Sequence, residues 1–166
     1  MAADTHLLES LQPLRGSRAV VLGIGNTLKG DDGVGPFVCE RLAGRVSVAV
    51  MDAGTVPENY IAPIAAAAPE NLLVIDAIDF GAAAGTIRLF DPHEIASVAF
   101  STHTLSPRLF IDLLQREVEV EVYFLGVQPS HTQFGAPLSA PVEAAVETLV
   151  DLLGQIFPPA PGRPDA

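Results

Sequence analysis

The stretch whose reading decides the fold runs from Val20 to Pro36, VVLGIGNTLKGDDGVGP. It reads as a buried strand, a glycine turn and the start of a helix. Ala19 to Leu22 form a short apolar run, as a parallel strand covered on both faces would. Gly23 and Gly25 offer positive φ for a sharp turn, and Pro36 suits the first turn of a helix, where its missing N–H is not needed. At the strand's exit the unit presents two carboxylates, Asp31 and Asp32.

Three readings of that turn compete. Gly-x-Gly after a strand is half of a dinucleotide-binding fingerprint, but Leu28 stands where the third glycine belongs. A pyrophosphate also wants unopposed N–H groups at the helix N-terminus, and Asp31 and Asp32 would set like charge beside it. In the second reading the acids are themselves functional and wait for a cation or a reacting group. In the third they only cap the helix and complement its dipole.

The 166 residues suit one domain with a sizeable core. Nearly half are hydrophobic, at 49%, yet no run is long enough to span a bilayer. The first residues lack a basic-then-apolar signal pattern, and the single cysteine, Cys39, rules out an internal disulfide and fits a reducing compartment. We therefore expect a cytoplasmic protein with no membrane partner, and Cys39 as core filler rather than nucleophile. A net charge of −11 argues against nucleic acid and suits a basic or metal-bearing partner.

Along the chain, Leu7, Leu8, Leu11 and Leu14 allow a helical piece within an N-terminal extension, residues 1–18, ahead of a single α/β domain over 19–157. A helix is expected over Val34 to Leu42 and a second strand over Val46 to Met51, ending at Asp52. Thr55 and Glu58 have capping-box spacing for the next helix, which should kink or break at Pro63. The third strand is Leu72 to Ile75, followed by Asp76. Thr86 to Phe90 follows too closely for a helical crossover and is expected antiparallel at an edge. Ser106 and Pro107 read as the N-cap and first position of a helix whose buried face is Leu109, Phe110, Leu113 and Leu114. Val118 to Val127 is the last strand, the polar loop Gln128 to Ala140 a candidate cleft rim, and Pro141 opens a closing helix to Leu153. The tail from 158 to 166 has nothing to bury and is expected to be disordered.

Strand and helix alternation predicts a three-layer α/β/α sandwich with a mostly parallel twisted sheet of about five strands, one edge strand antiparallel. Ligands of such sheets bind outside the carboxyl ends of the strands, where Asp31, Asp32, Asp52 and Asp76 all fall. His103, just before a helix, and His131, in the polar loop, are candidate imidazoles, each of which could equally be structural or solvated. Two carboxylates and an imidazole make an N/O donor set for a divalent transition metal, and nickel and zinc would both bind it.

These residues resemble the hydrogenase maturation endopeptidases, which remove a C-terminal extension from the large subunit of nickel–iron hydrogenases after nickel insertion. The resemblance spans residues 19 to 153. It rests on Gly23, Gly25, Asn26, Leu28, Asp31, Asp32, Gly33 and Gly35 in the first motif, then Asp52-x-Gly54-Thr55, Asp76-Ala77 and His103. Pro57-Glu58-Asn59 and the run Phe124 to Pro129 look most like the branch that processes formate-hydrogenlyase-type hydrogenases. The resemblance implies Asp32, Asp76 and His103 as metal-contacting residues and Asp52 as a further acid concerned with substrate. Asp32 stands where other members have Glu, and Ala53 replaces a glycine, which requires that this position not need positive φ.

The resemblance also implies nickel, delivered on the substrate, and a large-subunit precursor as partner; we expect a monomer. A metal or a carboxylate, Asp32, Asp76 or Asp52, would activate water at the scissile amide. The alternatives are a nickel-checking chaperone that docks without cutting, and a dinucleotide-binding domain favoured by the Gly-x-Gly turn and by Asp52 at a strand end.

Overall fold

The computed structural model describes residues 2–95, 99–100 and 105–161. Its parallel strands are β1 (Ala19–Gly23), β2 (Ala49–Asp52), β3 (Asn71–Asp79) and β6 (Glu121–Val127), with β4 (Ile87–Phe90) and a short β5 (Ala99–Phe100). The sheet runs β2-β1-β3-β6-β4, and only β4, at the edge, is antiparallel on this path. β3 outruns β6, and its last residues, Ile78 and Asp79, pair antiparallel with β5. The helices are α1 (Ala2–Leu11), α2 (Val34–Leu42), α3 (Ile61–Ala67), α4 (Pro107–Glu117) and α5 (Ala140–Ile156).

Strand alternation sorts the core into two layers. Leu73, Ile75 and Ala77 of β3 pack with Val34, Val38 and Leu42 of α2, with α5, and with Leu7 and Leu11 of α1. Leu72, Val74 and Ile78 face the other way, onto Ile64 of α3 and Phe110, Ile111 and Leu114 of α4. The expected three-layer sandwich is therefore present. Leu14, in a 3₁₀ turn after α1, is buried as well. No helix among the described residues is long and apolar enough to cross a membrane.

Several local expectations need correction. Asp76 lies inside β3, paired with Gly126, because the strand continues for nine residues rather than ending at Ile75. β2 is shorter than Val46–Met51 and shifted to Ala49–Asp52, and β6 begins at Glu121 rather than Val118. Thr55 and Glu58 form no capping box. The chain enters a 3₁₀ turn at Pro57 with Val56 as the residue before it, and no side chain caps it. Pro63 breaks nothing, since α3 starts at Ile61 and the proline sits in its first turn, where no N–H is required. Ser106 does cap α4, its Oγ accepting from the Leu109 N–H at 3.2 Å. Leu109 itself is 45% exposed, and Ile111 takes a place on the buried face. Gly23 is needed for space rather than for positive φ: a Cβ there would stand 2.5 Å from Cys39 Sγ and 2.6 Å from the Gly35 carbonyl oxygen. Gly25 is needed for both reasons, with φ at +146° and the Asp32 carbonyl oxygen 1.9 Å from where a Cβ would sit. Ala53 has no positive φ, as the substitution of that glycine requires.

Candidate active site at the carboxyl edge of the sheet

Parallel register sets the geometry of the edge. Gly23 of β1 pairs with Asp52 on one side and Ile75 on the other, and Ile75 pairs with Leu125 of β6. The turn after β1 leaves from this row. Its Ile24 N–H bonds the Ile75 carbonyl at 2.9 Å and its Gly25 N–H bonds the Gly54 carbonyl at 2.8 Å. The turn is thus clamped between the ends of β2 and β3 before it reaches the 3₁₀ segment Gly30–Gly33 that carries the two acids.

Asp31 and Asp32 are both fully buried but do different work. Asp31 accepts four hydrogen bonds from the loop that follows β6: Ser130 N–H at 2.8 Å, His131 N–H at 3.3 Å, Ser139 N–H at 2.7 Å and the Ser139 hydroxyl at 2.8 Å. The backbones are joined as well, Asp31 N–H to the His131 carbonyl and Gly30 N–H to the Ala136 carbonyl. Burial by itself pushes the Asp31 carboxyl's pKa up, but the donors on Ser139, Ser130 and His131 outweigh it and hold it below the ordinary carboxylate value. Asp31 is the anchor of this loop.

Asp32 instead bonds back to the turn after β1, its Oδ2 accepting from the Asn26 N–H at 2.9 Å. Asp76 is 1% exposed and lines a cavity of about 10 Å³ with Ile24, Pro57, Leu105, Pro107, Phe110 and Phe124. Asp32 and Asp76 therefore both flank the Ile24–Asn26 turn. Asp52 does not join them there. It is exposed, its Oδ1 accepting from the Gly54 N–H at 2.8 Å. It lies on the α2 face of the sheet with Val48 and Val50, whereas Asp76 lies on the α3–α4 face between Val74 and Ile78. His103 lies outside the described residues, among which no three His, Cys, Asp or Glu side chains group to hold a metal.

The other candidates resolve as structure. His131 lends its backbone to Asp31, and its Nδ1 is buried against Gly30, where a Cβ would approach it to 2.8 Å. Cys39 is buried. Burial first, and then the negative charge of Asp52, push its thiol up to about 12, which leaves no thiolate for catalysis.

Sequence reasoning missed Gln128. Its buried amide closes the end of the sheet, Oε1 accepting from the Phe80 N–H at 2.8 Å and the Ala82 N–H at 3.2 Å, while Nε2 donates to Asp79 Oδ1 at 3.0 Å. That contact and the Gly81 N–H lower the pKa of the exposed Asp79. The available signal was an amide directly after a wholly apolar strand end.

Against this geometry, a sequence profile of hydrogenase maturation proteases, HycI, matches residues 38–156. The hydrogenase 3 maturation protease of Escherichia coli K12 is 39% identical over 137 residues, covering 81% of this chain and 87% of that protein. The chain belongs to the hydrogenase maturation protease family. The crystal structure of HycI from Thermococcus kodakarensis superposes with a TM-score of 0.81 at 32% identity, covering 90% of this chain and 97% of that one. The solution structure of the endopeptidase HycI from E. coli gives 0.74 at 39% identity, covering 82% and 90%. Membership makes the chain a hydrolase of the endopeptidase type, on the HycI branch that its motifs resemble, and removes the dinucleotide-binding reading.

Proposed function

We propose that this protease removes the C-terminal extension of a nickel–iron hydrogenase large-subunit precursor once nickel has been inserted, and that Asp32, Asp76 and His103 sense the ion. The observation that carries the reading is the placement of two buried carboxylates, Asp32 from the 3₁₀ segment after β1 and Asp76 from β3, beside the Ile24–Asn26 turn. Oxygen donors of this kind, completed by an imidazole, suit a divalent first-row cation such as nickel, and zinc would bind as well. Carboxylates out of water attract a cation far more strongly than surface ones do.

The nickel is part of the substrate, carried in by the precursor, and there it would polarise the scissile carbonyl or acidify an attacking water. The chain's own contribution is a carboxylate to take the proton from that water, Asp32 or Asp76, and Asp52 to hold the substrate from the opposite face. Requiring the metal to complete the site keeps the protease silent on an unloaded precursor. We place the reaction in the cytoplasm, with a monomeric enzyme.

The test is to incubate the full chain with nickel-loaded and nickel-free large-subunit precursor and to weigh the products. Loss of the extension from the loaded precursor alone is expected. Docking with no change in mass would replace the protease reading by a non-cleaving nickel checkpoint.

A further inference from the structure

No described strand covers the outer edge of β2. Among the described residues β2 pairs only with β1. The Ala53 N–H bonds the Gly23 carbonyl at 2.8 Å, and strand parity then directs the backbone groups of Met51 and Ala49 inward to β1 and those of Val50 and Asp52 outward. An exposed row of unpaired N–H and C=O groups is a template for another strand.

Beside that edge, between β2 and α2, runs a groove of about 500 Å³. Its floor is apolar, with Val46, Val48 and Val50, and Cys39 and Ala43 along α2. Among the described residues, the charged ones lining it are Glu40 and Asp52, and none is a lysine or arginine. At its upper end it meets Thr27, whose Cα lies 2.8 Å from where a Cβ on Gly33 would stand. Thr27 therefore borders both the groove and the turn that carries Asp32. The apolar side chain next to it, Leu28, is 60% exposed.

We propose that this edge and groove seat the tail of the precursor as an added β-strand. The inference rests on the proposed function and adds the mode of substrate recognition. The outward groups of Val50 and Asp52 supply main-chain hydrogen bonds, and alternate side chains of the tail lie on Val48 and Val50. A basic side chain of the tail sits between Glu40 and Asp52, and the strand runs out past Thr27 toward the acids. Glu40 is thereby a specificity residue remote from the reacting amide.

The experiment combines amide hydrogen exchange on the full chain, with and without the nickel-loaded precursor, and steady-state cleavage by variants. Bound precursor should slow exchange at Val50 and Asp52 by tenfold or more. Glu40→Lys should raise KM about tenfold and leave kcat within about twofold. Val50→Pro removes only an outward N–H, a change that edge strands tolerate, and should do the same. Should it fail to fold by near-ultraviolet circular dichroism, Val48→Lys takes its place. Unchanged exchange at both amides in the complex overturns the proposal, as does an unchanged KM in both variants. Protection that grows with enzyme concentration in the absence of precursor also overturns it, assigning the edge to a second copy of the chain. Protection by a precursor that is never cut upholds the strand and removes the peptidase reading instead.

Discussion

Replacing Asp31 tests whether the loop after β6 hangs on one carboxylate. In Asp31→Ala the Ser130 and Ser139 N–H groups, now bonded at 2.8 and 2.7 Å, lose their acceptor at a part-buried place. Each stranded donor costs about 1–3 kcal/mol, while the Ser139 hydroxyl can rotate to another partner. Loop relaxation and entry of water recover part of the loss, so the net should be about 3 kcal/mol. For a chain of this size that lowers Tm by roughly 10 °C. Asp31→Asn keeps an oxygen at the Oδ2 position, where three of the four donors converge, and should cost about 1–2 kcal/mol. The two variants also differ in pH dependence. Because the folded pKa of Asp31 lies below its ordinary value, its contribution is present above the unfolded pKa, about 3.9, and is lost as pH falls through the folded pKa. Urea melts of wild type and Asp31→Asn should therefore differ by a constant amount from neutral pH to about pH 5. The gap should close at lower pH, where the protonated acid and the amide become near equivalents. A gap that persists unchanged at low pH, or no loss in Asp31→Ala at neutral pH, would refute the anchoring role.

Three further outcomes follow from contacts at the same edge. Gly35→Ala places a Cβ 2.4 Å from the Ile75 carbonyl oxygen and 2.5 Å from that of Ile24. It should cost about 3 kcal/mol or more by calorimetry, whereas Gly44→Ala, with nothing within 4 Å and only its φ of +76° to resist it, should cost about 1 kcal/mol. Gln128→Ala strands the Phe80 N–H and should destabilise by about 2 kcal/mol, read as faster amide exchange at Phe80 and Ala82 while the β1 amides stay protected. Iodoacetamide should leave Cys39 of the native chain unmodified near neutral pH, since the thiol is buried and titrates at about 12, and should label it once the chain is unfolded in urea.

The layers of the fold were legible because they depend on periodicity. Apolar runs at β1, β3 and β6 and the helical spacing of α2 and α5 state their burial directly, and the short link before β4 leaves it no room to be parallel. Boundaries were less legible. The third strand continues through an aspartate because Asp76 is one position on a two-residue alternation whose neighbours, Ala77 and Ile78, are still buried. A charge inside a strand resembles the strand's end to anything that reads hydrophobicity alone. The Thr55–Glu58 spacing misled because Pro57 sets up a 3₁₀ turn first. At the site, the sequence marks which acids lie at the sheet's carboxyl edge but not which atoms they meet. Ser130 and Ser139 bond Asp31 across about a hundred residues of chain, a contact that no local pattern encodes.

Adjacent residues can therefore share a motif and divide its labour. Asp31 and Asp32 are both buried in one 3₁₀ turn, yet the first is satisfied wholly by the loop after β6 and the second turns back to the Asn26 amide. The same logic separates Asp52 from Asp76. They stand one row apart at the edge of the sheet, and the strand's alternation sends one to the α2 face and the other to the α3–α4 face. No ion of ordinary coordination radius spans a sheet from face to face, so a role for both acids in one reaction requires a substrate that crosses the edge. An extended tail seated along β2 does so, passing Asp52 on one face and reaching the Ile24–Asn26 turn over Thr27. On this argument Asp52→Asn should weaken precursor binding, measured as KM, more than turnover, while Asp76→Asn should abolish turnover and leave the exchange protection at Val50 in place. The reverse pattern would place Asp52 among the reacting groups and send the tail by another route.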